Sequence, residues 1–157
     1  MEEKFLKDML EHQALIHKIC RLYRDTHEDR EDLFQEIVYQ LWKSYPKFQN
    51  KSKVSSWMYR IGLNTAMATF RKPRIVLSGS NQVPENTAIQ NTNSEESREE
   101  LLFNVVKKLD DAERAMIALY LEDISYVEIA GILGISESNV GVRLNRIKKK
   151  IRILLNS

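Results

Sequence analysis

SYVEIAGILGISESNVGVRLNRIKKKIRILL, residues 125–155, decides how the rest of this 157-residue chain is read. Ser125 is followed three residues later by Glu128, the spacing of a capping box that opens a helix. Gly134 then ends that helix, in the left-handed conformation glycine tolerates best. Ser136 caps a second helix running towards Leu154. Two capped helices around a Gly-Ile-Ser turn form the pattern of a helix-turn-helix. Ile129, Ala130 and Leu133 are expected to pack on Val140 and Leu144, with Ile135 plugging the turn. Val140, Leu144, Ile147, Ile151 and Leu154 recur at four, three, four and three, and face inward. Ser138, Asn139, Val142, Arg143 and Arg146 are left facing out, followed by Lys148, Lys149 and Lys150. The first of these side chains suit base edges and the later cations suit phosphates. The plainer reading is a helical hairpin with a solvated basic tail. Six basic residues and no acid over 138–157 favour DNA.

Working outward, apolar residues recur at three and four, with five Gly and three Pro in the chain. The protein is read as all-α. A first helix is expected from about Glu3 to Tyr23, with Phe5, Met9, Leu10, Ile16, Ile19 and Tyr23 inward. A second starts near Arg30, carries Leu33, Ile37, Leu41 and Trp42 on one stripe, and stops before Pro46. Ser55 or Ser56 caps a third, which buries Trp57, Ile61 and Phe70 and ends at Lys72–Pro73. Residues 73–93, rich in Asn, Gln, Thr and Pro, read as a flexible linker. Its 21 residues reach at most ~70–75 Å. Asp110 and Glu113 mark another helix start. Two small helical domains follow, 1–72 and 94–157.

Charge is segregated although the net is only +2. Residues 25–36 carry Asp25, Glu28, Asp29, Glu31, Asp32 and Glu36 against Arg30. Residues 37–84 hold no acid at all, but hold Lys43, Lys47, Lys51, Lys53, Arg60, Arg71, Lys72 and Arg74. Arg60, Asn64, Ala68 and Arg71 lie on one helix face, with Trp57 before them and Lys51 and Lys53 in the adjoining loop. Cations beside a flat side chain and an amide suit a single strand whose bases have left the duplex. For Trp57 alone a core position is favoured; for the whole face, nucleic acid. The helix before it, REDLFQEIVYQLW (residues 30–42), sets Asp32, Gln35, Glu36 and Gln40 beside an apolar stripe. Such a face suits a basic protein partner; by itself it also reads as a solvated face.

Other classes find little support. One cysteine, Cys20, allows no intramolecular disulfide and fits a reducing compartment. The longest apolar run, Ala115–Leu121, is far short of a membrane span. The N-terminus is acidic and amphipathic, unlike a signal peptide, so a cytoplasmic protein without direct membrane insertion is expected. His12, His17 and Cys20 sit near one another, but their spacing is poor for ligands on one helix face, and no metal or cofactor is expected. No phosphate loop, carboxylate pair or Ser/His/Asp set argues for an enzyme.

EDLFQEIVYQLW (residues 31–42), VSSWMYRIGLNTAMATFRK (54–72) and LEDISYVEIAGILGISESNVGVRLNRIKKKIR (121–152), in that order across a linker, resemble bacterial RNA polymerase sigma factors of the extracytoplasmic-function (ECF) type. The resemblance covers nearly the whole chain. It implies a region-2 domain at 1–72, a region-4 domain at 94–157, and promoter recognition and DNA melting as the function. Asp32, Gln35, Glu36, Gln40, Leu41 and Trp42 match the segment that docks on core RNA polymerase. Lys51, Lys53, Trp57, Arg60, Asn64, Arg71 and Lys72 fall in the part that captures the −10 promoter element. Ser136, Ser138, Asn139, Val142, Arg143, Arg146 and Lys149 fall on the reader of the −35 element. An anti-sigma factor is an implied partner. The linker would bridge elements about two helical turns apart, ~70 Å at 34–36 Å per turn. Gly141-Val142 replaces a Lys-Ser often found in the family, so a phosphate contact is lost and Val142 is free to touch a thymine methyl. The competing reading is a two-domain helix-turn-helix regulator that acts on duplex DNA without polymerase. It predicts a dimer and palindromic sites.

Overall fold

The computed structural model describes residues 2–48, 50, 53–71 and 94–156, with backbone alone at 69–71 and 94–97. The described residues form seven α-helices and no strand. They are α1 (Glu2–Tyr23), α2 (His27–Ser44), α3 (Val54–Arg71), α4 (Ser94–Lys107), α5 (Asp111–Leu121), α6 (Tyr126–Leu133) and α7 (Glu137–Leu155), with a 3-10 turn at Tyr45–Lys47. The linker read at 73–93 lies outside the described residues. No described helix is long and apolar enough to cross a membrane.

α1, α2 and α3 pack on one another, and α4 to α7 form a second group. In the first, Ile16, Ile19, Ile37, Leu41, Met58 and Leu63 are fully buried. Gly62 lies at the close crossing: a Cβ there would lie 2.7 Å from Ile19 Cδ1. In the second group Leu109, Met116, Leu119, Ile129, Val140 and Leu144 close the core. α1 also packs on α4, and α3 on α6, so the two groups touch and their apolar interiors run together.

Several boundaries and faces differ from the sequence expectation. α2 begins at His27 because Thr26 accepts a hydrogen bond from the Asp29 N–H at 3.1 Å, an earlier start than Arg30. α3 begins at Val54, with the Trp57 N–H donating to the Lys53 carbonyl at 3.0 Å. Ser55 and Ser56 therefore stand inside the first turn and do not cap it. The buried stripe of α3 is Met58, Tyr59, Leu63 and Ala66, while Trp57 and Ile61 are half-buried. Phe70 has no described side chain. Leu10 is 68% exposed. α1 is non-helical at His12, whose ring donates to the Asp8 carbonyl at 3.0 Å, and beyond it the inner stripe runs through Ile16, Ile19, Cys20 and Tyr23.

Candidate nucleic-acid interface

The turn between α6 and α7 is fixed by its caps. Ser125 Oγ accepts from the Glu128 N–H at 3.2 Å. The reciprocal half of the expected capping box is not made, because the Glu128 carboxylate pairs with Lys53 of α3 at 3.3 Å. Gly134 has φ +73, and its N–H donates to the Ala130 carbonyl at 2.8 Å. Ser136 Oγ accepts from the Asn139 N–H at 3.1 Å, which makes this hydroxyl the anchor of α7.

Val140, Leu144 and Ile147 face the core, so Ser138, Asn139, Val142, Arg143, Arg146 and Lys149 stand exposed on one side of α7. The Gly141 Cα points towards the Tyr126 ring with ordinary contact room, 3.7 Å from an added Cβ, so glycine is not demanded there. Two cations expected to join this face are occupied elsewhere. Lys150 pairs with Glu113 at 3.0 Å, and the Lys148 ammonium sits 4.3 Å from the Tyr120 ring centroid. Glu113 thus serves twice, since it also closes the capping box of α5 with Asp110.

On α3, Arg60, Asn64 and Ala68 are exposed at a spacing of four, as the sequence predicts. Lys53, also exposed, is turned to Glu128. Trp57 stacks on Phe48 with ring centroids 4.7 Å apart and leans on Tyr45, so it is half core and half surface. Lys51 and Lys72 lie outside the described residues, and the Arg71 side chain is not described.

On α2, Asp32 and Gln35 are exposed, and Glu36 and Gln40 are half-buried with a 3.0 Å hydrogen bond from Gln40 Nε2 to Glu36. Leu41 is wholly buried, so its side chain offers nothing to a partner: it is a core residue that orients its neighbours. Trp42 is 41% exposed, with its inner edge on Phe5 at 5.0 Å between centroids. Tyr39, overlooked in the sequence, joins this face, 54% exposed. Its position four after Gln35 and three after Glu36 was the available signal. Elsewhere, His17 stacks on Phe34, and burial pushes the Cys20 thiol up to about 11 against the pull of Arg24 and Arg30. Among the described residues no three His, Cys, Asp or Glu are placed to hold a metal ion.

Residues 9–74 match the family model Sigma-70 region 2, and residues 99–151 match Sigma-70, region 4, together about three quarters of the chain. The ECF RNA polymerase sigma factor SigM of Mycobacterium tuberculosis is 26% identical over 148 residues, spanning 92% of this chain and 73% of the relative. The ECF RNA polymerase sigma factor SigW of Bacillus subtilis is 27% identical over 159 residues, spanning 87% and 81%. Among solved structures, CnrH in complex with the cytosolic domain of CnrY superposes with a TM-score of 0.72 at 21% identity, over 99% of this chain and 90% of that one. The sigma factor RpoE of Bartonella quintana, in complex with the anti-sigma factor NepR, gives 0.73 at 18% identity, over 98% of each. These two likenesses are of fold. The chain belongs to the sigma-70 family of RNA polymerase sigma factors, of the extracytoplasmic-function type.

Proposed function

We propose that this sigma factor divides its work among three faces. The α2 face of Asp32, Gln35, Glu36, Tyr39, Gln40 and Trp42 docks on core RNA polymerase. Lys51, Lys53, Trp57, Arg60, Asn64, Arg71 and Lys72 capture the −10 strand as the duplex opens. Ser138, Asn139, Val142, Arg143, Arg146 and Lys149 read or grip the −35 duplex, with Ser136 holding the helix in place. Residues 1–72 and 94–157 are the two functional domains. Opening costs a few kcal/mol per unstacked step, and base capture by α3 offsets part of it. The chain supplies no catalytic group of its own and works in the cytoplasm. An anti-sigma factor is its regulator, a reading supported by the printed partner of the Bartonella quintana neighbour.

One observation carries this reading: two exposed faces with arginines, Arg60 with Asn64 and Arg143 with Arg146, stand on separate helices, and the acidic face of α2 precedes the first. The test is a pair of substitutions in two assays. Glu36→Lys weakens association with core polymerase and leaves duplex affinity unchanged. Arg143→Ala does the reverse, costing ~1–3 kcal/mol of duplex binding if the contact is a bidentate base read. Equal effects of both substitutions in both assays contradict the division of labour.

A further inference from the structure

From Glu137 to Ile147, α7 turns one branched apolar side chain to solvent. Val142 is 50% exposed, while Val140, Leu144 and Ile147 are buried. At about 100° per residue, Val142 stands ~140–160° round the helix from each of those three, so it points away from the core. A single exposed valine is ordinary on a protein surface. This one is set apart by its neighbours. Ser138 and Asn139 lie one turn before it, and Asn145 and Arg146 one turn after, all of them exposed. Val142 is thus the apolar centre of the polar and basic face assigned above to the −35 duplex.

Side-chain length changes along that face. Ser138, Asn139 and Val142 are short, and Gly141 adds no side chain beside them. The first turns of α7 therefore bring backbone closest to whatever the helix lies on. Arg143, Arg146 and Lys149 are longer and follow, with the reach to meet phosphates. Val142 is also stiff: a β-branched side chain in a helix has one strongly preferred χ1 rotamer, so covering it costs little entropy. Its place is fixed from below, because Ser136 Oγ accepts from the Asn139 N–H at 3.1 Å and anchors the start of the helix.

An apolar group aimed into a groove gains free energy where the duplex offers it an apolar group in return. The major groove offers one, the C5 methyl of thymine; the remaining base edges present hydrogen-bond donors and acceptors. A cytosine in the same place would set its N4 amino group against Val142, which has no acceptor for it. We propose that Val142 is a specificity-determining residue of the −35 reader, selecting thymine through the C5 methyl rather than through a hydrogen bond. This deepens the sigma-factor reading and rests on it.

The test uses the full chain with core RNA polymerase and the strongest promoter recovered from a run-off library. Each −35 thymine on either strand is replaced, one at a time, by deoxyuridine, which lacks only the methyl, or by 5-bromodeoxyuridine, whose bromine fills the methyl's place. With the wild-type chain below saturation, deoxyuridine at one position is expected to lower transcription about fourfold, the loss of one buried methyl. 5-Bromodeoxyuridine at that position restores it. Alanine is the best helix former, so Val142→Ala keeps the fold. With that variant the three bases at this position are expected to differ by less than twofold. No thymine whose methyl matters, or the same methyl dependence with Val142→Ala, overturns the inference and leaves the sigma reading intact. No transcript that depends on the wild-type chain overturns the sigma reading, and the inference with it.

Discussion

Gly62 lies where three helices approach closely, and its neighbour decides what a substitution does. An added methyl falls 2.7 Å from Ile19 Cδ1, the outer end of a side chain able to turn, and 3.7 Å from Ile37 Cγ2. Replacing glycine by alanine inside a helix gains ~0.8–1 kcal/mol of propensity, which offsets that small shift. Gly62→Ala is therefore expected to be near neutral in thermal or urea unfolding. Gly62→Val, with two further carbons against a fully buried Ile19, is expected to destabilise by ~1–3 kcal/mol. A Val substitution as mild as Ala would mean the crossing is looser than described. Leu41 and Tyr39 teach a related lesson about single residues. Both sit in the segment whose pattern names a docking face, yet Leu41 is core and Tyr39 is surface. A helical stripe read from sequence has a width of about one residue either side, and only packing resolves its edge.

At the scale of elements, caps carry the helix-turn-helix. Ser136 satisfies the Asn139 N–H, and Asn139 stands at the start of the exposed α7 face. Ser136→Ala is expected to cost ~1 kcal/mol of stability, within 0.5–2. Ser136→Asp, which keeps an acceptor at the helix N-terminus, should keep most of that stability in the same unfolding measurement. Equal loss in both variants would show that the hydroxyl does not act as a cap. Most of this architecture was legible in advance, because capping residues, Gly134 and the three-four spacing each have one local cause. The Asp110–Glu113 box, the Gly134 turn and the inward stripe of α7 at Val140, Leu144 and Ile147 formed as read, while Ile151 and Leu154 are only half-buried. The features that were not legible are those whose partner is distant in sequence. Glu128 was assigned to its own cap and pairs instead with Lys53, and Lys148 and Lys150 leave the phosphate-facing set for Tyr120 and Glu113. Local spacing offers a side chain its nearest option, and the assembled fold offers it others.

Across the whole molecule, the segregated charges meet where the two helical groups pack. The acidic stretches that balance the chain's net charge also supply Asp25, Glu122 and Glu128, which hold the two helical groups together. The basic residues they meet are Lys18 and Lys53 of the α1–α3 group and Lys107 of α4. The most direct measurement of the central claim is run-off transcription from a promoter library with purified core RNA polymerase, with and without this chain. The account predicts transcripts only when the chain is added, from promoters sharing two elements about two helical turns apart, and their loss with Glu36→Lys. Specific binding of the free chain as a dimer to palindromic duplexes, with no transcript that depends on it, would contradict the account.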